Sequence, residues 1–226
     1  MSLSRPGAVA ALAVVAALLS GCGGAQPGVA VKVGDETISS NRIDELAGEY
    51  CTAVEDQLTG NSQRVPQRYF RAGIASSLAM RSVAEQLAEE YDVEPGSTYD
   101  QQVAELQQSV AVLDEDVQES VIEVESAKAY VEAVQAAVGE VVLEQEGDGQ
   151  AAYSEQVKRG QAVFEDWISE HGIEFDPSLG IGLVKGQVTS VDTSLSFPVG
   201  DNATNGSAEE PDAVYAAGLP DSHRCG

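Results

Sequence analysis

Basic side chains, aromatic rings and histidine are all scarce in this chain. Twelve Lys and Arg stand against 37 Asp and Glu, a formal net charge of −25. A chain this acidic has no electrostatic means of holding nucleic acid, and no basic patch for anionic lipid headgroups. Its two histidines, His171 and His223, cannot form the i, i+4 pair of a zinc helix, and no CxxC takes their place. No D-x-D-x-D-G loop gathers oxygens around calcium. The glycine-containing stretches GLVKG and GDGQ are too short and wrongly flanked to cradle a phosphate, and no G-x-S-x-G elbow presents a serine. Paired acids abound, but nothing places one in an apolar pocket with an oriented partner. No catalytic residue, metal or cofactor is expected. Long apolar runs are missing too: the stretch from Ala8 to Leu19 is too short to span a bilayer as a helix and fits a signal-peptide core.

The end of that apolar core carries a motif. Leu19-Ser20-Gly21-Cys22 resembles the bacterial lipobox, an apolar residue and two small ones before the cysteine that receives lipid. The resemblance implies that residues 1–21 are a signal peptide cleaved after Gly21. Cys22 would then carry the diacylglyceryl and palmitate-type anchor, at the extracytoplasmic face of a bacterial cell membrane. The other reading is a plain secretory signal with an incidental cysteine. Of three cysteines, Cys51 and Cys225 remain. In an exported chain that even remainder suggests one disulfide, against the alternative of a buried Cys51 thiol and a free Cys225.

Residues 22–28 form a Gly/Pro tether. Val29, Val31 and Val33 alternate with Ala30 and Lys32 as a strand does, Gly34-Asp35 turns, and Thr37-Ile38 returns. Ser39, Ser40 and Asn41 suit a helix start, and Ile43, Leu46, Ala47, Tyr50, Val54 and Leu58 share one face as far as Gly60. A second helix, from about Pro66 to Tyr91, has two adjoining apolar arcs, as a central helix does. A weaker one covers Thr98 to Leu113. Asp114 can cap a fourth, whose valines from Val117 to Val141 keep three-four spacing with Lys128 as the one polar seam position. A last helix with Tyr153, Val157, Phe164, Trp167 and Ile168 on one face ends at Gly172, and Ile173 to Pro177 reads as a short strand. Residues 181–226 are rich in Gly, Ser, Thr, Asp and Asn and read as an extended, partly disordered tail. The fold class is therefore mainly α, one domain over residues 29–180, with a β-hairpin and one more strand. Between Ser82 and Val157 nineteen acids face a single base, Lys128. That density marks a solvated helical face, or else a site for calcium or a cationic ligand.

The order of elements, with VAVKVGDETISSNRIDEL at the front and WISEHGIEFDP at the end, resembles the N-terminal chaperone domain of exported foldases of the SurA and PrsA kind. Val31, Val33, Gly34, Ile38 and Ser39 fit the opening strand of that family. Ile173, Phe175, Asp176, Pro177 and Gly180 fit the returning one, although Ser178 and Leu179 stand where an arginine is usual. The parvulin isomerase domain that such foldases carry between these elements is missing: residues 97–150 read as helical and contain no histidine. The resemblance implies a non-catalytic, ATP-independent holdase for unfolded exported polypeptides, anchored to the membrane through Cys22. The alternative is a lipoprotein scaffold that docks one envelope partner. Tyr69, Phe70, Tyr91, Phe164 and Trp167 are the aromatics to expect near a client surface, unless the apolar helical faces that carry them are core.

Overall fold

A computed structural model of the chain describes residues 26–192, 199–206, 208 and 212–226. The expected signal peptide, Cys22 and most of the expected tether lie outside the described residues. Strand β1 (Val29–Val33) turns through Gly34, at φ +57°, into β2 (Glu36–Ser39). Helix α1 (Ser40–Gly60) begins directly after β2, because the Ser39 hydroxyl accepts from the Arg42 N–H at 3.2 Å. A short β3 (Val65–Pro66) leads into α2 (Gln67–Tyr91), with Pro66 at the cap rather than in the first turn. Then come α3 (Ser97–Val110), α4 (Glu115–Glu146) and α5 (Tyr153–His171). Asp114 occupies the N-cap position of α4 without a side-chain cap bond; Glu115 and Asp116 supply the negative charge its N-terminus favours.

The fold is mainly α, and its strands are few and short. Strand β4 (Ile173–Phe175) pairs antiparallel with β1, giving the sheet order β2-β1-β4. Val31 and Val33 are fully buried beneath this sheet, with Ile43 and Leu46 of α1, Leu87 of α2, Val134 and Val138 of α4, and Phe164 of α5. Helix α2 packs on α1, α4, α5 and β1, which accounts for its two apolar arcs. Helices α4 and α5 pack most extensively, and their crossing depends on two glycines. A Cβ on Gly139 would overlap the carbonyl of Gln156, and one on Gly160 the carbonyl of Gln135. Two serines of α4 are buried with its valines, Ser120 against Glu49 and Ser126 near Arg81. Lys128 is exposed. Over a long helix a period near 3.6 drifts against an even valine spacing, so Ala127 takes the buried place and leaves the lysine to solvent.

The C-terminal segment departs from the expected extended tail. Strands β5 (Ile181–Val184) and β6 (Gln187–Ser190) form a hairpin whose turn, Lys185-Gly186, has φ of +53° and +79°. Ile181 and Leu183 pack against the core. Short helices α6 (Asp201–Gly206) and α7 (Ala213–Ala217) come next, the second capped by Asp212, whose carboxylate accepts from the Tyr215 N–H at 2.6 Å. Strand β7 (Arg224–Cys225) pairs with β3, and a disulfide joins Cys225 to Cys51 across a Cα separation of 5.6 Å. Ala216 and Cys225 are buried. Few apolar residues suffice here because the covalent link holds the segment against α1. Among the described residues, no helix is long and apolar enough to cross a membrane.

Candidate functional site

A cleft of about 770 Å³ opens between the β1–β2 hairpin and helices α1 to α4. Two helix faces make its floor: Leu78, Arg81, Ser82 and Glu85 of α2, and Glu119, Ile122, Glu123 and Ser126 of α4. Each set repeats at three and four residues, so each is a single stripe about 10 Å long. One wall is α3, through Tyr99 and Gln107; the other is β2 with Arg42. Tyr99 is braced from below, edge-to-face against Tyr130 with centroids 5.4 Å apart. Helix α3 buries little besides Val110 and leans almost wholly on α4, so this wall is the lightly held one.

The β2 wall presents an unusual surface. All four consecutive residues, Glu36, Thr37, Ile38 and Ser39, line the cleft. Side chains along a strand alternate between faces, so a hollow that meets every residue in turn faces the strand's edge. Strand β2 is the outer member of its sheet. The hairpin is fastened to α2 by polar contacts. Ser82 Oγ donates to Glu36 at 2.6 Å, and the Gln86 amide donates to the Val33 carbonyl at 3.2 Å and to Ser82 Oγ at 3.2 Å.

Two guanidinium groups reach the cleft, and both are already engaged. Arg42 pairs with Glu45 at 3.0 Å and with Glu123. Arg81 pairs with Glu85 at 2.8 Å and lies over the Tyr130 ring at 5.0 Å. Partial burial opposes the charge on each arginine, but the carboxylate bonds outweigh it and leave both pKa values raised. Tyr130 is also held above the ordinary phenol range, by burial first and then by the charge of Glu85. Glu119, exposed on the α4 floor, makes no hydrogen bond or ion pair among the described residues. With four carboxylates against two engaged arginines, the cleft is acidic.

The aromatics singled out from sequence do not form one surface, and none lines this cleft. Phe164 and Trp167 are core residues, 1% and 7% exposed. Phe70 packs against Tyr50 at a centroid distance of 5.7 Å. Tyr69 lies beneath the Arg68 guanidinium, and its hydroxyl donates to the Ala208 carbonyl at 2.7 Å. Tyr91 and Trp167 do meet at a smaller cleft of about 450 Å³, where His171 stacks on Trp167 at 4.4 Å among Glu90, Glu146, Asp166 and Glu170. The two cysteines expected to pair are brought together and bonded. Sequence reasoning missed Arg42, Arg81 and the open edge of β2. Arg81 carried a signal of a kind, as the last base before the acidic stretch. No protein family, curated protein or solved structure matches this chain.

Proposed function

We propose that the protein is a lipid-anchored holdase that shelters unfolded segments of exported polypeptides, without ATP, metal or catalysis. The observation that carries this reading is the open cleft, where apolar side chains (Ile38, Leu78, Ile122) lie beside a strand edge that no other strand pairs among the described residues. An unfolded chain offers the complement of both, apolar side chains and unsatisfied backbone groups. The helical elements over residues 97–146, where a foldase would carry its isomerase sheet, support leaving catalysis out of the proposal.

Light scattering from a reduced or denatured client tests the reading directly. The mature chain at a few-fold molar excess should delay aggregation with no nucleotide or metal added, and should leave the rate of prolyl isomerisation unchanged. No protection would overturn the holdase reading, and recovery of a single protein in fixed ratio after crosslinking would favour a docking scaffold. The anchor is tested separately. Cys22→Ala should abolish lipid labelling and release the protein from the membrane fraction; unchanged retention and mass would remove the anchor from the proposal.

A further inference from the structure

We propose that the ligand of the cleft is an extended polypeptide segment, apolar residues interspersed with lysine or arginine, that adds as a strand to the outer edge of β2. This rests on the reading of the cleft as a polypeptide site and names the class of segment it selects.

The backbone geometry points to strand addition. In β1, the even-numbered residues bond toward β4: the Asp176 N–H donates to the Ala30 carbonyl at 2.8 Å, and the Gly34 N–H to the Gly172 carbonyl at 3.2 Å. The odd-numbered residues therefore bond toward β2, where Val33 is opposite Glu36 and Val31 opposite Ile38. Thr37 lies between those two bonded pairs, opposite Lys32. Its own N–H and C=O consequently turn away from β1, toward the cleft that Thr37 lines. A chain laid along this edge completes the ladder through Thr37. The floor, about 10 Å long, accommodates roughly three residues of it at ~3.3 Å each.

Charge complementarity selects the side chains. Occupant residues directed at the floor meet Ile38, Leu78 and Ile122, interspersed with Glu85, Glu119 and Glu123. Arg42 and Arg81 are committed to glutamates, so an acidic occupant finds no free cation there among the described residues. A lysine or arginine finds Glu119. The net charge of −25 on the whole chain steers the same basic segments toward the cleft before contact.

The test uses the full mature chain and a labelled octapeptide of alternating valine and lysine, monitored by fluorescence anisotropy, with a valine–glutamate peptide as control. The basic peptide should bind and the acidic one should not. Thr37→Pro removes the outward donor, at an edge position that tolerates proline, and should weaken binding ~10-fold. Glu119→Lys, at an exposed position that leaves the fold intact, should weaken it at least ~10-fold as well. Two further peptides leave the protein untouched: N-methylation of one alternate set of amides should abolish binding, and of the other set should spare it. Equal binding of the acidic and basic peptides, unchanged affinity in Glu119→Lys, or equal effects of the two methylation sets would overturn the proposal. Light scattering keeps the two readings apart. Protection of a client by a chain that fails every peptide criterion leaves the holdase standing and removes the strand-addition site, whereas peptide binding without protection does the reverse.

Discussion

Gly160 and Tyr50 show how single side chains set tolerances in this molecule. At the α4–α5 crossing there is no space for even a methyl group, because each helix backbone lies against the glycine of the other. Gly160→Ala should therefore destabilise the protein by ~2 kcal/mol or more, despite alanine's better helix propensity. A thermal melt should show Tm lower by roughly 5 °C; a raised Tm would mean that the helices separate without cost. Tyr50 reports on a different contact. Burial, and then its hydrogen bond to Glu125, push its pKa up to about 12. The raised value means that the folded state retains the phenolic proton when the unfolded chain, near pH 10, releases it. The contribution to stability is complete below about pH 10 and is lost as pH rises toward about 12. Replacement by phenylalanine should remove that part of the alkaline decline, measured as Tm against pH; an identical decline in Tyr50→Phe would place its origin elsewhere. Neither property was legible in the sequence. A glycine in a helix looks like a weakness until the partner backbone is known, and Glu125 is far from Tyr50 along the chain.

Among the elements, local pattern translated well; of the distant pairings, that of β1 with β4 and the Cys51–Cys225 bond were legible, and that of β3 with β7 was not. The five long helices and the opening hairpin derive from periodicity, caps and turn residues that act within a few positions of themselves. The β5–β6 hairpin is hidden in the sequence because its turn is Lys185-Gly186, and a lysine at positive φ lacks the Asn-Gly signature of such turns. Strand β7 is hidden for another reason: a two-residue strand carries no pattern, and its partner β3 (Val65–Pro66) is far earlier in the chain. The cleft belongs with these. Its lining comes from five elements, and its open edge exists only because β4 pairs on one side of β1 and leaves β2 outermost. The disulfide that ties β7 to α1 spans 174 residues. In the chain-entropy view a loop of that length contributes on the order of 5 kcal/mol. Reduction should lower Tm by ~10 °C and expose residues 212–226 to protease. Cys225→Ser should behave as the reduced protein and be insensitive to dithiothreitol; equal melts with and without reductant would show that the pairing of β3 with β7 suffices alone.

For the molecule as a whole, the proposed holding function gives apolar contact and net charge separable roles. Exposed salt-sensitive attractions are screened beyond ~8 Å at physiological ionic strength, whereas apolar burial is not. Holding of an aggregating client should therefore persist in high salt, while the preference for basic over acidic segments should fade. Light scattering and peptide anisotropy, each across a salt series, separate the two, and loss of holding with rising salt would assign the activity to the acidic faces instead. The pairing of β1 with β4 also has a consequence for biogenesis. A polypeptide emerges from its N-terminus, so Val31 is available long before Phe175 exists, and Cys51 long before Cys225. Until Phe175 has emerged the hairpin has two open edges, and until Cys225 has emerged one thiol waits for its partner. Chain order thus delays both closures: the sheet cannot complete before β4 has emerged, and the covalent lock cannot form before Cys225 has.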